Sequence, residues 1–76
     1  MTLRETRHTQ LLAHGFERLD SIGSKLNGYR LQHRGRSINV DVGPRGAVIC
    51  WTIYADTTGR CISNRLTYDE VLTITA

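Results

Sequence analysis

The chain has 76 residues, 39% of them apolar, and a formal charge of +3. That makes one domain near the lower limit of what folds alone, with too little interior for both a core and a deep catalytic cleft. The apolar content argues against disorder, no apolar run approaches the ~18 residues of a membrane span, and "MTLRETRHTQ" has no apolar leader core, so the expected location is cytoplasmic.

Nine of the ten basic residues are arginine, with Lys25 the single lysine. Arginine offers planar, bidentate donors to carboxylates and phosphates. A codon bias toward arginine accounts for the same excess with no partner at all, and +3 is modest beside a dedicated nucleic-acid binder.

In chain order, Thr2 stands three residues before Glu5, the spacing of a capping box, and predicts a helix through "LRETRHTQLLAH" with Leu3, Leu11 and Leu12 on one side. Gly15 suits the left-handed residue that ends a helix. "GFERLDSIGSKL" reads either as a second helical stretch, on the spacing of Phe16, Leu19, Ile22 and Leu26, or as an irregular strand ending at Gly23. Two glycines and Asp-Ser weigh toward the strand.

From Asn27 onward the pattern alternates. "GYRLQH" and "RSINVDV" flank an Arg-Gly turn, "GPRG" leads into the apolar run "AVICWTIYA", and "DTTG" leads into "RCISN". Pro44 suits the second position of a type I turn and Gly46 the fourth. Tight turns predict Leu31 opposite Ile38, Tyr29 opposite Val40, Val40 opposite Ile49, Ile38 opposite Trp51, and Ile53 opposite Ile62. All of these share one face. Arg30, Gln32, Ser37, Asn39, Asp41, Thr52, Tyr54, Ser63 and Arg65 fall on the other. "LTYDEVLTIT" reads as a short helix opened by Thr67 and Glu70, burying Val71, Leu72 and Ile74, or as a short edge strand. The expected fold is thus a single α+β domain over residues 1–76. It holds an antiparallel β-meander of about four strands, one face covered by an N-terminal helix and a short C-terminal helix. The expected core is Phe16, Leu31, Ile38, Val40, Ile49, Trp51, Ile53 and Ile62.

Little in the sequence carries chemistry. Cys50 and Cys61 fall on the same face of neighbouring strands but offset, Cys50 across from Arg65 and Cys61 from Tyr54. Roughly 13 Å separates them, too far for a disulfide, so two reduced, partly buried thiols are expected. His8 and His14 are six apart and His33 is alone, which gives no metal-ligand spacing. The carboxylates are dispersed over caps, turns and strands. Asp41 stands on the wet face near Asn39, either as a solvated strand charge or as a group to meet an arginine of a partner. "GPRG" is no phosphate loop, because no helix follows it. No catalytic residue, metal or cofactor is expected.

"LLAHGFERL", "GSK" and "YRLQHRGR" faintly resemble the small HicA-type RNA-cleaving toxins, in which a helix is followed by a Gly-Phe strand, then by Gly-Ser and a catalytic histidine. Lys25 stands where that histidine would be, and beyond residue 42 the chain makes another hairpin where the family returns to a helix. The resemblance covers about thirty residues and assigns neither membership nor RNA cleavage to this chain.

The arginines remain. Arg34 and Arg36 flank the first turn, Arg60 closes the third, and alternate turns of a meander share one end, so these three gather there, extended by Tyr54. Arg45 tips the second turn at the other end, while Arg30 and Arg65 lie on the wet face. The expectation is a non-enzymatic protein-binding module. An inhibitor or regulator of the anti-defence type carried by phages or mobile elements fits it, docking through these seven residues on an acidic patch of a larger protein or ribonucleoprotein complex. The alternative is a small nucleic-acid binder using the same arginines. An open edge strand would permit a homodimer in place of a monomer.

Overall fold

The computed structural model describes residues 1–19 and 27–76. Helix α1 (Leu3–Ala13) is followed by five strands, β1 (Glu17–Leu19), β2 (Asn27–His33), β3 (Arg36–Val42), β4 (Val48–Ala55) and β5 (Cys61–Leu66), and then by helix α2 (Tyr68–Ile74). The strands form one antiparallel sheet in sequential order, a meander closed by a helix at each terminus. This is the expected α+β fold with five strands in place of about four. The fifth is short β1, which resolves residues 17–19 as strand; Ile22, Gly23, Lys25 and Leu26 of the same segment lie outside the described residues.

Local chemistry sets both helices. Thr2 accepts from the Glu5 amide at 3.2 Å and donates its hydroxyl to the Glu5 carboxylate at 3.0 Å. At the other end the Gly15 amide donates to Leu12 and the Phe16 amide to Leu11, with Gly15 at φ +89°, the Schellman arrangement that turns the chain out of a helix. Helix α2 starts on a complete capping box between Thr67 and Glu70. The helical reading of residues 68–74 therefore holds over the edge-strand one.

Both helices lie on one face of the sheet, α1 against β3 and α2 against β4. Between helices and sheet sits a core of Leu11, Phe16, Tyr29, Ile38, Val40, Val42, Cys50 and Val71. Leu3 and Leu12, expected beside Leu11, are exposed, and so is Ile74.

The register departs from expectation at two of the three hairpins. The first holds: Arg34 and Gly35 both take positive φ, as a type I′ turn requires, and Tyr29 pairs with Val40 and Leu31 with Ile38. At the second, the Gly46 amide closes a turn onto Gly43, but Gly46 itself sits at φ +90° and the Gly43 amide then pairs with Ala47. Gly46 is thus the extra residue of a β-bulge, and it moves β4 along by one. Val40 now faces Cys50 rather than Ile49, and Ile38 faces Thr52 rather than Trp51. Gly59, at φ +82°, repeats the geometry in the third turn, so Tyr54 rather than Ile53 faces Ile62.

A one-residue slip exchanges the faces of a strand. Ile49, Trp51 and Ile53 consequently leave the core for the uncovered face, while Cys50, Thr52 and Tyr54 take the covered one. The second slip undoes the first for β5, so Ile62 stays on the covered face and Ser63 and Arg65 stay on the open one, as expected. Thr52 is buried, yet no side-chain nitrogen or oxygen among the described residues is buried without a hydrogen-bond partner. The cysteines are also corrected. Cys50 faces Leu66 and is buried, Cys61 faces Ala55 and is exposed, and the two thiols lie on opposite faces.

Candidate functional site

The open sheet face is where the displaced residues converge. One row crosses all five strands: Glu17 beside Arg30, Arg30 beside Asn39, Asn39 beside Trp51, and Trp51 beside Arg65. On β4, Ile49 and Ile53 flank Trp51 at spacings of two, so the three side chains form a continuous apolar ridge along the strand. Ile49 is 43% exposed and Ile53 40%, with Trp51 half-buried between them. Among the described residues, no helix lies over this face. Asp41 sits next to Ile49 across the sheet and opposite Gly28 on β2. A Cβ on Gly28 would lie 3.5 Å from the Asp41 carboxylate, an ordinary van der Waals contact. Partial burial there raises the Asp41 pKa above its ordinary value.

The seven residues expected to bind a partner divide among three places. Arg30 and Arg65 belong to the open-face row and bracket Trp51. Arg34, Arg36 and Arg60 gather at the end of the sheet that carries the first and third turns, with Tyr54 beside them. There the Arg36 guanidinium lies 4.6 Å from the centroid of the Tyr54 ring, and the Asn64 side-chain amide donates to the Tyr54 hydroxyl at 3.1 Å. Arg45 stands at the opposite end, exposed in the second turn. Tyr54 is thus corrected from the open face to the covered one, and it serves Arg36 rather than Arg30 or Arg65.

A second concentration of polar groups lies under α1. Arg4, Arg7, His8 and Leu11 recur at helical spacing, so the stripe turned toward the sheet is mostly polar. Arg7 and His8 make specific contacts there, and Leu11 is buried. The Arg7 guanidinium donates to the Gly46 carbonyl and lies 5.0 Å from the Tyr68 ring centroid. His8 Nδ1 shares a hydrogen bond of 2.5 Å with the hydroxyl of Tyr29, whose side chain is 2% exposed. Further along, His14 Nδ1 meets the Thr75 hydroxyl at 2.9 Å, and the Tyr68 hydroxyl donates to Gln10 at 2.9 Å.

Beside this stripe the structure leaves a cleft of about 410 Å3, lined by Thr2, Arg4, Glu5, His8, Arg18, Tyr29 and Pro44. Burial raises the Tyr29 pKa, and the charges of Arg18 and Arg4 pull it back down, which places both guanidinium groups within electrostatic reach of the phenol. The only signal in the sequence was the basic i, i+3, i+4 run through Arg4, Arg7 and His8, which resembles an ordinary solvated helix face.

Neither thiol has the surroundings of a nucleophile. Burial pushes the Cys50 thiol up to about 11, and Cys61 is an exposed strand residue beside Ala55. Among the described residues, no group of three or more histidine, cysteine, aspartate or glutamate side chains is placed to hold a metal ion, and no helix is long and apolar enough to cross a membrane. The fold and site together define a small α+β meander domain with one covered and one open sheet face. In comparisons with protein families, curated proteins and solved structures, the chain matches none of them.

Proposed function

We propose that the protein is a non-enzymatic binding module whose open sheet face docks on a larger protein. The observation that carries this reading is the Ile49–Trp51–Ile53 ridge on β4, on the face that no described helix covers, with Arg30 and Arg65 in the same cross-strand row. Tryptophan and arginine are the residue types that dominate binding energy at protein interfaces, and a central aromatic with charged neighbours is the usual form of such a hot spot. The complementary partner surface presents an apolar seat for Trp51 and carboxylates for the two arginines.

Charge favours such a partner over a second copy of this chain. Each copy carries +3, so two copies repel each other at long range. An inhibitor or regulator that blocks a working surface of a larger complex is the biological role that suits a domain of this size. The nucleic-acid reading is less well supported, because the arginines it needs are split between the open face and two opposite ends, and the Arg36 guanidinium already occupies one face of Tyr54.

The test is capture from nuclease-treated lysate of the source cell by immobilised wild-type protein, with Trp51→Ser, Arg65→Glu and Arg34→Glu/Arg60→Glu variants in parallel. The expected result is one protein, confirmed with purified components, whose affinity falls about thirtyfold or more for Trp51→Ser and falls also for Arg65→Glu. The double variant at the far end keeps it. Capture insensitive to Trp51, retention of nucleic acid alone, or a Trp51-dependent homodimer in sedimentation would each overturn the reading.

A further inference from the structure

Strand β5 ends the sheet, and it runs for six residues, Cys61–Leu66, with neither a proline nor a bulge. The third turn fixes which way its backbone groups point. There the Asp56 amide donates to the Arg60 carbonyl at 2.9 Å, so these two residues form a hydrogen-bonded pair. Such pairs alternate along an antiparallel ladder. Counted through the β4–β5 register, Ile62, Asn64 and Leu66 exchange bonds with β4, while Cys61, Ser63 and Arg65 turn their amides and carbonyls outward. The second turn sets the same phase independently. Its Gly43 amide donates to Ala47, so Ile49, Trp51 and Ile53 bond to β3 and leave Cys50, Thr52 and Tyr54 for β5. Among the described residues no strand lies beyond β5. An outward row of this kind is a template for another extended chain.

We propose that the β5 edge takes up an extended, acidic segment of a partner protein as one more strand of the sheet. Outward amides and carbonyls supply affinity in this mode, and alternate side chains supply selectivity. Residues of the incoming strand set opposite Cys61, Ser63 and Arg65 fall on the open face. Arg65 is exposed there and β5 contains no acidic residue, so a carboxylate opposite it finds an opposite charge across the strands. Residues in between fall on the covered face beside Ile62 and Leu66. Both are half-buried, and Leu66 packs against the core, so apolar side chains there extend it. The matching segment therefore alternates acidic and apolar residues with a period of two. A second copy of β5 brings another Arg65 and no carboxylate, and a further +3 with it. The edge adjoins the docking face but works through backbone groups that the Trp51 ridge does not use.

The experiment is a nuclear magnetic resonance titration of the intact chain with the capped peptide "TEVEVEVT" and its lysine counterpart "TKVKVKVT". The acidic peptide should give saturable shifts on β5 and slow the exchange of the Cys61, Ser63 and Arg65 amides with solvent. The Ile62, Asn64 and Leu66 amides, already bonded to β4, should be protected before it is added. The lysine peptide should bind about fivefold more weakly or worse. Ser63→Pro deletes one outward amide and leaves the β4 ladder intact, the setting in which an edge strand accepts proline, and should cost about tenfold or more in affinity with circular dichroism unchanged. Arg65→Glu should reverse the preference, so that the lysine peptide binds better. Absence of saturation at millimolar peptide, protection that misses the three outward amides, equal response to both peptides in wild type and Arg65→Glu, or a homodimer that occupies this edge in sedimentation would each overturn the assignment. The peptide reads the edge whatever Trp51 captures from lysate, so the two readings fail separately.

Discussion

Whether Trp51 faces solvent depends on Gly46, and substituting that glycine measures the dependence. Gly46 sits at φ +90°, and a Cβ built on it would lie 2.7 Å from Leu3 Cγ, 2.9 Å from Leu3 Cβ and 3.0 Å from the Arg4 backbone nitrogen. Gly46→Ala thus carries two costs. The left-handed conformation costs an L-residue roughly 1–2 kcal/mol, and forcing a methyl against a docked helix start costs about 1–3 kcal/mol more. Gly59 takes the same backbone shape, at φ +82°, with nothing within 4 Å of its would-be Cβ. Gly59→Ala therefore isolates the backbone term, roughly 1–2 kcal/mol. Against a total of about 4–11 kcal/mol for a domain of this length, the first substitution removes a large share and the second a small one. Urea denaturation followed by the fluorescence of the single tryptophan reads both. Gly46→Ala should exceed Gly59→Ala by about 1–3 kcal/mol. Equal losses would mean that α1 does not rest on the second turn. No loss in either would mean that neither turn carries a bulge, and Trp51 would return to the core; its quenching by acrylamide in the native state, expected to be efficient, is the companion measurement.

Three further outcomes follow from the titratable groups. The raised pKa of Asp41 means that its charged form is disfavoured in the folded state, so its contribution is favourable below the unfolded aspartate pKa and is lost as pH rises through the folded one. Asp41→Asn should therefore leave stability unchanged or raise it at pH 7, with the difference vanishing in acid; a clear loss at pH 7 would refute the burial argument. Asp56 behaves oppositely: its pKa is lowered first by the Thr58 hydroxyl, then by the Arg60 and Thr58 amides, so its stabilisation is present above the unfolded pKa and disappears as pH falls through the folded value. Asp56→Ala should destabilise at neutral pH and lose its effect in acid, as measured by parallel thermal melts. Finally, a thiol reagent should label Cys61 at once in the native protein and Cys50 only on unfolding, since Cys50 is buried with its thiol at about 11; labelling of both at similar native rates would contradict the register of β4.

Much of the architecture was legible from local chemistry. Thr2 with Glu5 and Thr67 with Glu70 mark helix starts by hydrogen bonds made within four residues. Gly15 ends α1, and the Arg34-Gly35 dipeptide closes a hairpin whose pairing followed directly. These features depend on neighbours in the chain, so the chain alone determines them. The faces of β4 depended on something else. "GPRG" and "DTTG" permit either a two-residue turn or a turn followed by a bulged glycine, and the apolar run "AVICWTIYA" offers plausible core residues in both registers. The choice falls to tertiary packing. The bulge seats Gly46 beneath Leu3 and within reach of Arg7, and it trades Ile49, Trp51 and Ile53 for Cys50 and Thr52 in the thin space under two short helices. The arginine groupings at the turns follow from meander topology and could be read in advance. The Arg4–His8–Arg18–Tyr29 cleft could not, because it joins α1, β1 and β2 only once the helix has been laid across the sheet.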